Sequence, residues 1–169
     1  VSSFSQKSSY RGAQFLSAVL DLVPSLRRHA LESVEAEDFT TEPFRIVYKT
    51  LLEIPGLDTI DGREALGLAL RDQSVANGSL NGEFGRGVQL AILDIDTDRS
   101  TGDMAFPLAK SLREDRFRAE TCAIFSRLAK ETKTAPLETI QASLQEIYQP
   151  EIDLFVRIEH PHRRLKEVA

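Results

Sequence analysis

Apolar residues recur along this chain at steps of three and four, the spacing of one face of an amphipathic helix. Phe15, Val19, Leu20, Leu22, Val23 and Leu26 open the pattern, and Ala30, Leu31 and Val34 extend it beyond Pro24, which splits the run into two helices. Residues 36–41 are a polar break. Thr41 then stands as an N-cap, with Glu42 and Pro43 suited to a first helical turn. Phe44, Val47, Tyr48, Leu51 and Leu52 form the next stripe, which Pro55-Gly56 ends. Asp61 is placed to cap a helix carrying Leu66, Leu68 and Leu70. The glycines and asparagines of 73–87 read mostly as loop, followed by a helix from Phe84 or Gly87 to Asp94 and a polar turn over 94–103.

From Met104 the texture changes. Residues 104–132 hold no glycine, and their single proline, Pro107, lies in the first turn. Leu108, Leu112, Ala119, Cys122, Ala123, Ile124 and Leu128 keep a stripe through this run. Thr134 reads as the N-cap of a second helix carrying Leu137, Ile140, Leu144 and Ile147, with Pro150 as its stop. A long helix, a short link and a returning helix predict an antiparallel hairpin. The whole chain is therefore expected to be all-α: a polar flexible tail (1–12), a helical bundle (13–103), a hairpin (104–149) and a linker or short strand or helix with a basic end (150–169).

Composition narrows the function classes. An apolar fraction of 41% in 169 residues supports a buried core and excludes global disorder. A net charge of −5 argues against a main role in gripping phosphate backbones. Cys122, the lone cysteine, makes neither an internal disulfide nor a structural zinc site, which suits a reducing, cytoplasmic setting without a metal or other cofactor. No apolar run approaches the ~20 residues that span a bilayer, and the polar start lacks the apolar core of a signal peptide. The chain begins with Val, as a processed chain or a piece of a longer one would.

The most enzyme-like phrase is Leu-Ala-Ile-Leu-Asp-Ile-Asp-Thr-Asp (90–98). On a strand, Asp94 and Asp96 could share a Mg²⁺ ion, as in the first motifs of haloacid-dehalogenase-type phosphatases and of DEDD exonucleases, which the phrase resembles. Asp98 departs from the phosphatase pattern, Asp96 stands where the exonucleases typically carry Glu, and the helical sequence that follows lacks the alternating strands both families need. The competing reading is a core helix running into an acidic loop. A calcium loop through Asp94, Asp96 and Asp98 fails for want of Gly at Arg99 and Glu at Ala105. Gly82, Gly85 and Gly87 lack the Lys-Ser or Lys-Thr of a phosphate loop and read as a turn. His29 beside Arg27 and Arg28 reads as a solvated cation, and His160 and His162 around Pro161 as linker. Arg113, Arg116, Arg118, Arg127 and Lys130 are interleaved with Glu114, Asp115, Glu120 and Glu131, so an ion-paired face is expected before a nucleic-acid one.

The order of elements resembles one family. Gln-Phe-Leu-Ser-Ala-Val-Leu (14–20), followed by Glu-Ala-Glu-Asp-Phe-Thr-Thr-Glu-Pro-Phe-Arg-Ile-Val-Tyr-Lys-Thr-Leu-Leu-Glu (35–53), looks like the amino-terminal domain of bacterial replicative DNA helicases of the DnaB type. Asp38 and Phe39 fill that family's acidic-Asp-Phe turn, Arg45 its basic position, and Val47, Tyr48 and Leu51 its anchors. Gly87 to Leu93 and Ala109 to Arg118 continue the likeness, which covers about residues 14–149. The helicase-binding carboxy-terminal domain of bacterial primase is similar too. Residues 73–83 are unlike the compact versions of either. The resemblance implies a non-catalytic docking domain that couples helicase to primase, pairs with other subunits through its hairpin and meets DNA only indirectly. It carries neither an ATPase nor a polymerase motif. Candidate partner-binding residues are Leu112, Arg116, Ile124, Arg127, Leu128, Ile140 and Leu144. An unrelated helical adaptor and a Mg²⁺-dependent phosphotransferase or nuclease using Asp94 and Asp96 are the alternative readings.

Overall fold

A computed structural model describes residues 2–161, with side chains from Tyr10 onward. Among these residues the regular structure is helical throughout: α1 (Ser2–Asp21), α2 (Pro24–Glu32), α3 (Glu42–Glu53), α4 (Arg63–Ala76), α5 (Gly85–Thr97), α6 (Ala105–Glu131) and α7 (Leu137–Glu159), with 3-10 turns at Ala36–Asp38 and Gly102–Met104. The fold is all-α. It divides into two units, one ending at Leu112 and the other beginning at Arg113.

In the first unit α1 is the shared element, packing on α2, α3, α4 and α5. Residues 15–20 are buried without interruption, so over this stretch the helix is covered on every side. Phe15, Leu16, Val19 and Leu20 fill the middle of the core, joined by Leu31, Phe39, Leu51, Leu57, Leu66, Leu70 and Ile95. A helix covered all round must also satisfy its polar side chains. Ser17 does so by donating to the Asp98 carbonyl (3.0 Å) and accepting from Arg63 Nη2 (2.8 Å). Arg63 donates as well to the carbonyls of Ser17, Ile95 and Asp98. One guanidinium thus ties α1, the start of α4 and the end of α5 together, and supplies donors to carbonyls that the end of α5 leaves without helical partners. Arg27, also buried, donates to the carbonyls of Leu22, Leu57 and Ile60. Burial lowers its pKa, and Asp61 and Asp58 partly offset that loss.

The acidic-Asp-Phe turn is built as a clamp. Asp38 accepts from the Glu35 amide (2.8 Å) and closes a capping box. Phe39 packs its ring against Phe15 and Tyr48, and its carbonyl accepts from Arg45 Nε (2.9 Å). The Tyr48 hydroxyl donates to the carbonyls of Val34 (2.9 Å) and Leu31 (3.3 Å), fixing the end of α2.

Several boundaries differ from the sequence expectation. Residues 2–12, expected as a flexible tail, continue α1, since nothing in them breaks the helix that the apolar stripe nucleates. Gly62, at φ +83°, caps α4 in place of Asp61, and α4 runs on to Ala76, so the loop is shorter than its glycine content suggested. Thr41 occupies the N-cap position of α3 but makes no side-chain capping bond. Pro136, not Thr134, precedes α7. Pro150 does not stop α7, which passes through it to Glu159. A proline at that point removes one backbone donor, and apolar residues on both sides hold the helix across the gap. The expected linker over 150–169 is therefore helical to Glu159, and residues 162–169 lie outside the described residues. The boundary at 103/104 is also displaced. Ala105, Leu108, Ala109 and Leu112 belong to the core of the first unit, because the α6 stripe faces that core over its first two turns.

Two measurements follow. Leu112→Ala should lower unfolding free energy by about 2–5 kcal/mol in urea titrations, the usual cost of emptying a filled core site. Burial, first, and then Asp38 and neighbouring glutamates push the Tyr48 hydroxyl up to about 12. Its folded pKa lies above the unfolded value of about 10, so its contribution is present below pH ~10 and is lost as pH rises toward ~12. Stability of the native chain should fall across that window, and Tyr48→Phe should flatten the fall.

Candidate interaction surfaces

In the second unit, the contacts that fasten α6 to α7 include the following. Arg113 Nη2 donates to the Ile158 carbonyl (3.1 Å), the rings of Phe117 and Phe155 lie 5.7 Å apart, and Thr121 Oγ1 donates to Glu151 Oε2 (2.7 Å). Moving forward along α6 means moving backward along α7, so the two segments run antiparallel over this stretch. Leu128 and Ile158 are buried.

The α7 sequence holds more apolar residues than one neighbouring helix covers. At ~100° per residue, Ile140, Ile147, Leu154 and Ile158 form one stripe, and Leu137, Leu144, Tyr148 and Phe155 form a second about 75° away. The first stripe is half-buried or buried. The second stays exposed: Leu137 79%, Leu144 52%, Tyr148 69% and Phe155 61%. Phe125 on α6 is 65% exposed as well, and the antiparallel register brings it to the level of Tyr148. Contiguous apolar exposure of this kind marks interaction surfaces in folded proteins.

The residues singled out from sequence separate into four groups. Leu112 is fully buried in the first unit's core; this corrects its assignment to a partner surface, since no partner reaches a side chain with no exposed area. Leu128 is internal, and Ile124 and Ile140 are half-buried. Arg116 pairs with Glu120 (2.6 Å) and Arg127 with Glu131 (3.8 Å), both at i,i+4 along α6. Arg118 pairs with Glu114 and Asp115. The Arg116–Glu120 and Arg127–Glu131 pairs are partly exposed and each worth about 0.3–0.5 kcal/mol, whereas Asp115, which pairs with Arg118, is buried. Leu144 alone of the set belongs to the exposed stripe. Leu137, Tyr148 and Phe155 complete the stripe. The steps of seven, four and seven residues from Leu137 to Phe155 carried that signal, and reading Pro150 as a stop hid its last member.

The acidic phrase lies on α5 and its end, not on a strand. Residues two apart on a helix point about 200° apart. Asp94 accordingly faces solvent, while Asp96 pairs with Arg71 across to α4. The strand-tip arrangement that a shared Mg²⁺ would need is replaced by two divergent carboxylates. Among the described residues no group of three or more His, Cys, Asp and Glu converges on a metal-sized space. His29 stands against the Phe106 ring at 5.6 Å, and Cys122 is an exposed thiol. His160 is exposed, while His162 falls outside the described residues. Among the described residues no helix is long and apolar enough to cross a membrane. No family model, curated protein or solved structure matches the chain.

Exposed and internal positions of this unit should separate in denaturation experiments. Leu144→Gln and Tyr148→Gln should each change unfolding free energy by less than about 0.5 kcal/mol. Leu128→Ala should cost about 2 kcal/mol or more.

Proposed function

We propose that this chain is a non-catalytic protein-docking domain of the replication machinery that couples a replicative helicase to primase, with the exposed α7 stripe as its contact surface. The observation that carries the docking role is the stripe itself. Leu137, Leu144, Tyr148 and Phe155 expose roughly 500 Å² between them, given the large area of each such side chain. That is more than half of the ~800 Å² each partner contributes to an ordinary stable interface. Full burial of a large apolar side chain is worth about 1.5–3 kcal/mol, so covering four of them offsets a substantial part of the cost of association. The neighbouring polar side chains on α7 include Gln141 and Gln145 together with the acidic Glu151 and Glu159.

The identity of the partner rests on the resemblance in residues 14–53 and 87–118. The residues that carry it, Asp38, Phe39, Arg45 and Tyr48, are those that fasten α1, α2 and α3 together. Their role in the first unit is to hold a stable body, and the second unit presents the docking surface. Pairing between copies through the same stripe accompanies this reading.

Titration of the full chain against the cognate replicative helicase and against the cognate primase, each by biolayer interferometry, tests the proposal. One of the two should bind at micromolar concentration, and Tyr148→Glu or Leu144→Glu should weaken it at least about tenfold, the effect of losing roughly 1.4 kcal/mol. Failure of both to bind at 100 µM (about −5.5 kcal/mol) would overturn it.

A further inference from the structure

The first unit holds an apolar hollow at the point where α1 ends. The chain leaves α1 at Asp21, bends through Leu22 and Val23 and enters α2 at Pro24. The 3-10 turn Gly102–Met104 packs against the end of α1 and leads into α6. Two features fix that approach. The Gly102 amide donates to Asp21 Oδ2 (2.9 Å). A Cβ at residue 102 would stand 3.0 Å from the Asp21 carbonyl oxygen and 3.1 Å from Leu22 Cα, so glycine there lets the two segments lie this close. Between them is a space of about 450 Å³. Leu22 lines it together with Val23 and Leu26, at the start of α2, and Phe106, in the first turn of α6. Leu22 is buried, but Val23 is 57% exposed, Leu26 41% and Phe106 36%. The Phe106 ring is steadied by His29, with centroids 5.6 Å apart. The hollow is therefore held by packed chain ends, while its apolar walls still offer surface that a partner would remove from water.

The charge of the lining is of one sign. Its remaining members are Thr101, Asp21 and Asp103, with no lysine, arginine or histidine among the described residues that line the space. Asp21 accepts from the Gly102 amide and Asp103 from the Thr101 hydroxyl, each through one oxygen. Both carboxylates are exposed, and neither has a cationic partner among the described residues. The nearby arginines of α2 do not neutralise them. Arg27 is buried and bonded to carbonyls, and Arg28 pairs with Asp58. Lys110 stands one turn further along α6, outside the lining. Two unopposed carboxylates beside an apolar hollow repel phosphates and anionic headgroups, and they favour an apolar occupant that carries positive charge.

We infer that this hollow binds a basic, apolar segment of a partner protein, with large apolar side chains seated among Val23, Leu26 and Phe106 and a lysine or arginine beside them against Asp21 and Asp103. The site uses no residue of the α7 stripe and belongs to the other unit. The inference therefore stands or falls independently of the replication reading.

Two short fluorescein-labelled peptides of identical leucine spacing test it, one with lysines and the other with glutamates flanking the leucines. Each is titrated with the full chain by fluorescence anisotropy at low and at physiological salt. The lysine peptide should bind at least about tenfold tighter than the glutamate peptide, with the gap narrowing as salt rises. Asp21→Asn combined with Asp103→Asn keeps both acceptor oxygens and removes both charges, and it should cut the advantage to about threefold or less. Val23→Ser, at the N-cap position of α2 where serine is favoured, should weaken the lysine peptide at least about threefold with circular dichroism and melting curve intact. Adding Leu26→Ser should bring the loss to at least about tenfold, and Tyr148→Glu should leave binding unchanged. Equal affinity for the two peptides, no binding of the lysine peptide, or full binding by the Val23→Ser variant would overturn the assignment. So would a lysine preference that persists in the double asparagine variant, since that would arise from the overall charge of −5.

Discussion

The fold depends on how α1 is buried. Over residues 15–20 it is covered on every side and leaves no solvent-facing edge for the one polar side chain of that stretch, Ser17, which sits at zero exposure. An unsatisfied hydroxyl there would cost about 1–3 kcal/mol. Ser17 avoids it by donating to the Asp98 carbonyl and accepting from Arg63, which also holds the start of α4 against the end of α5. Its guanidinium binds the Ser17 oxygens and the carbonyls of Ile95 and Asp98, so the start of α4 and the finish of α5 are pinned to the same point on α1. The core then closes around that point: Leu66 and Leu70 from α4, Val88 and Ile95 from α5, and Leu51 from α3.

The second unit obeys a different constraint. Its polar contacts are local, with i,i+4 ion pairs along α6 and a few side-chain bridges to α7. What defines it is an excess of apolar surface. α7 carries two neighbouring apolar stripes, and α6 covers one. Among the described residues its interior is correspondingly thin, with Leu128 and Ile158 buried. An element with a small interior and a large exposed stripe gains more from a partner than from its own packing, which is the physical ground for reading it as a docking element. The first unit, by contrast, has a continuous core.

Much of this was legible in the sequence. The three- and four-residue steps of Phe15 to Leu20 and Phe44 to Leu51 gave the helical class and most of the core, because burial of one face imposes that period. Pro24 and Pro55-Gly56 marked breaks because a proline lacks the donor that a continuing helix needs. Other features were hidden for identifiable reasons. Pro150 looked like a terminus because local propensity disfavours it within a helix, and tertiary context decided otherwise. Leu112 shares its stripe with residues further along α6, so spacing alone could not show that this stripe serves the first unit's core before it turns toward α7. Asp94 and Asp96 resembled a metal pair because a period of two suits a strand; the apolar spacing of Val88, Ala91, Ile92 and Ile95, which fits a helix, was the stronger signal. The Ser17–Arg63 tie had no sequence signature, since its partners lie far apart in the chain.

The central functional claim is that the outer stripe of α7 is covered when this domain meets its partner. Hydrogen exchange of the backbone amides of residues 137–159, followed by mass spectrometry, reads that coverage. With saturating cognate helicase or primase, whichever binds, exchange in this segment should slow at least about tenfold, while the segments of α1 and α3 stay as they are in the free chain. Unchanged exchange across α7, with new protection confined to the first unit, would contradict the account.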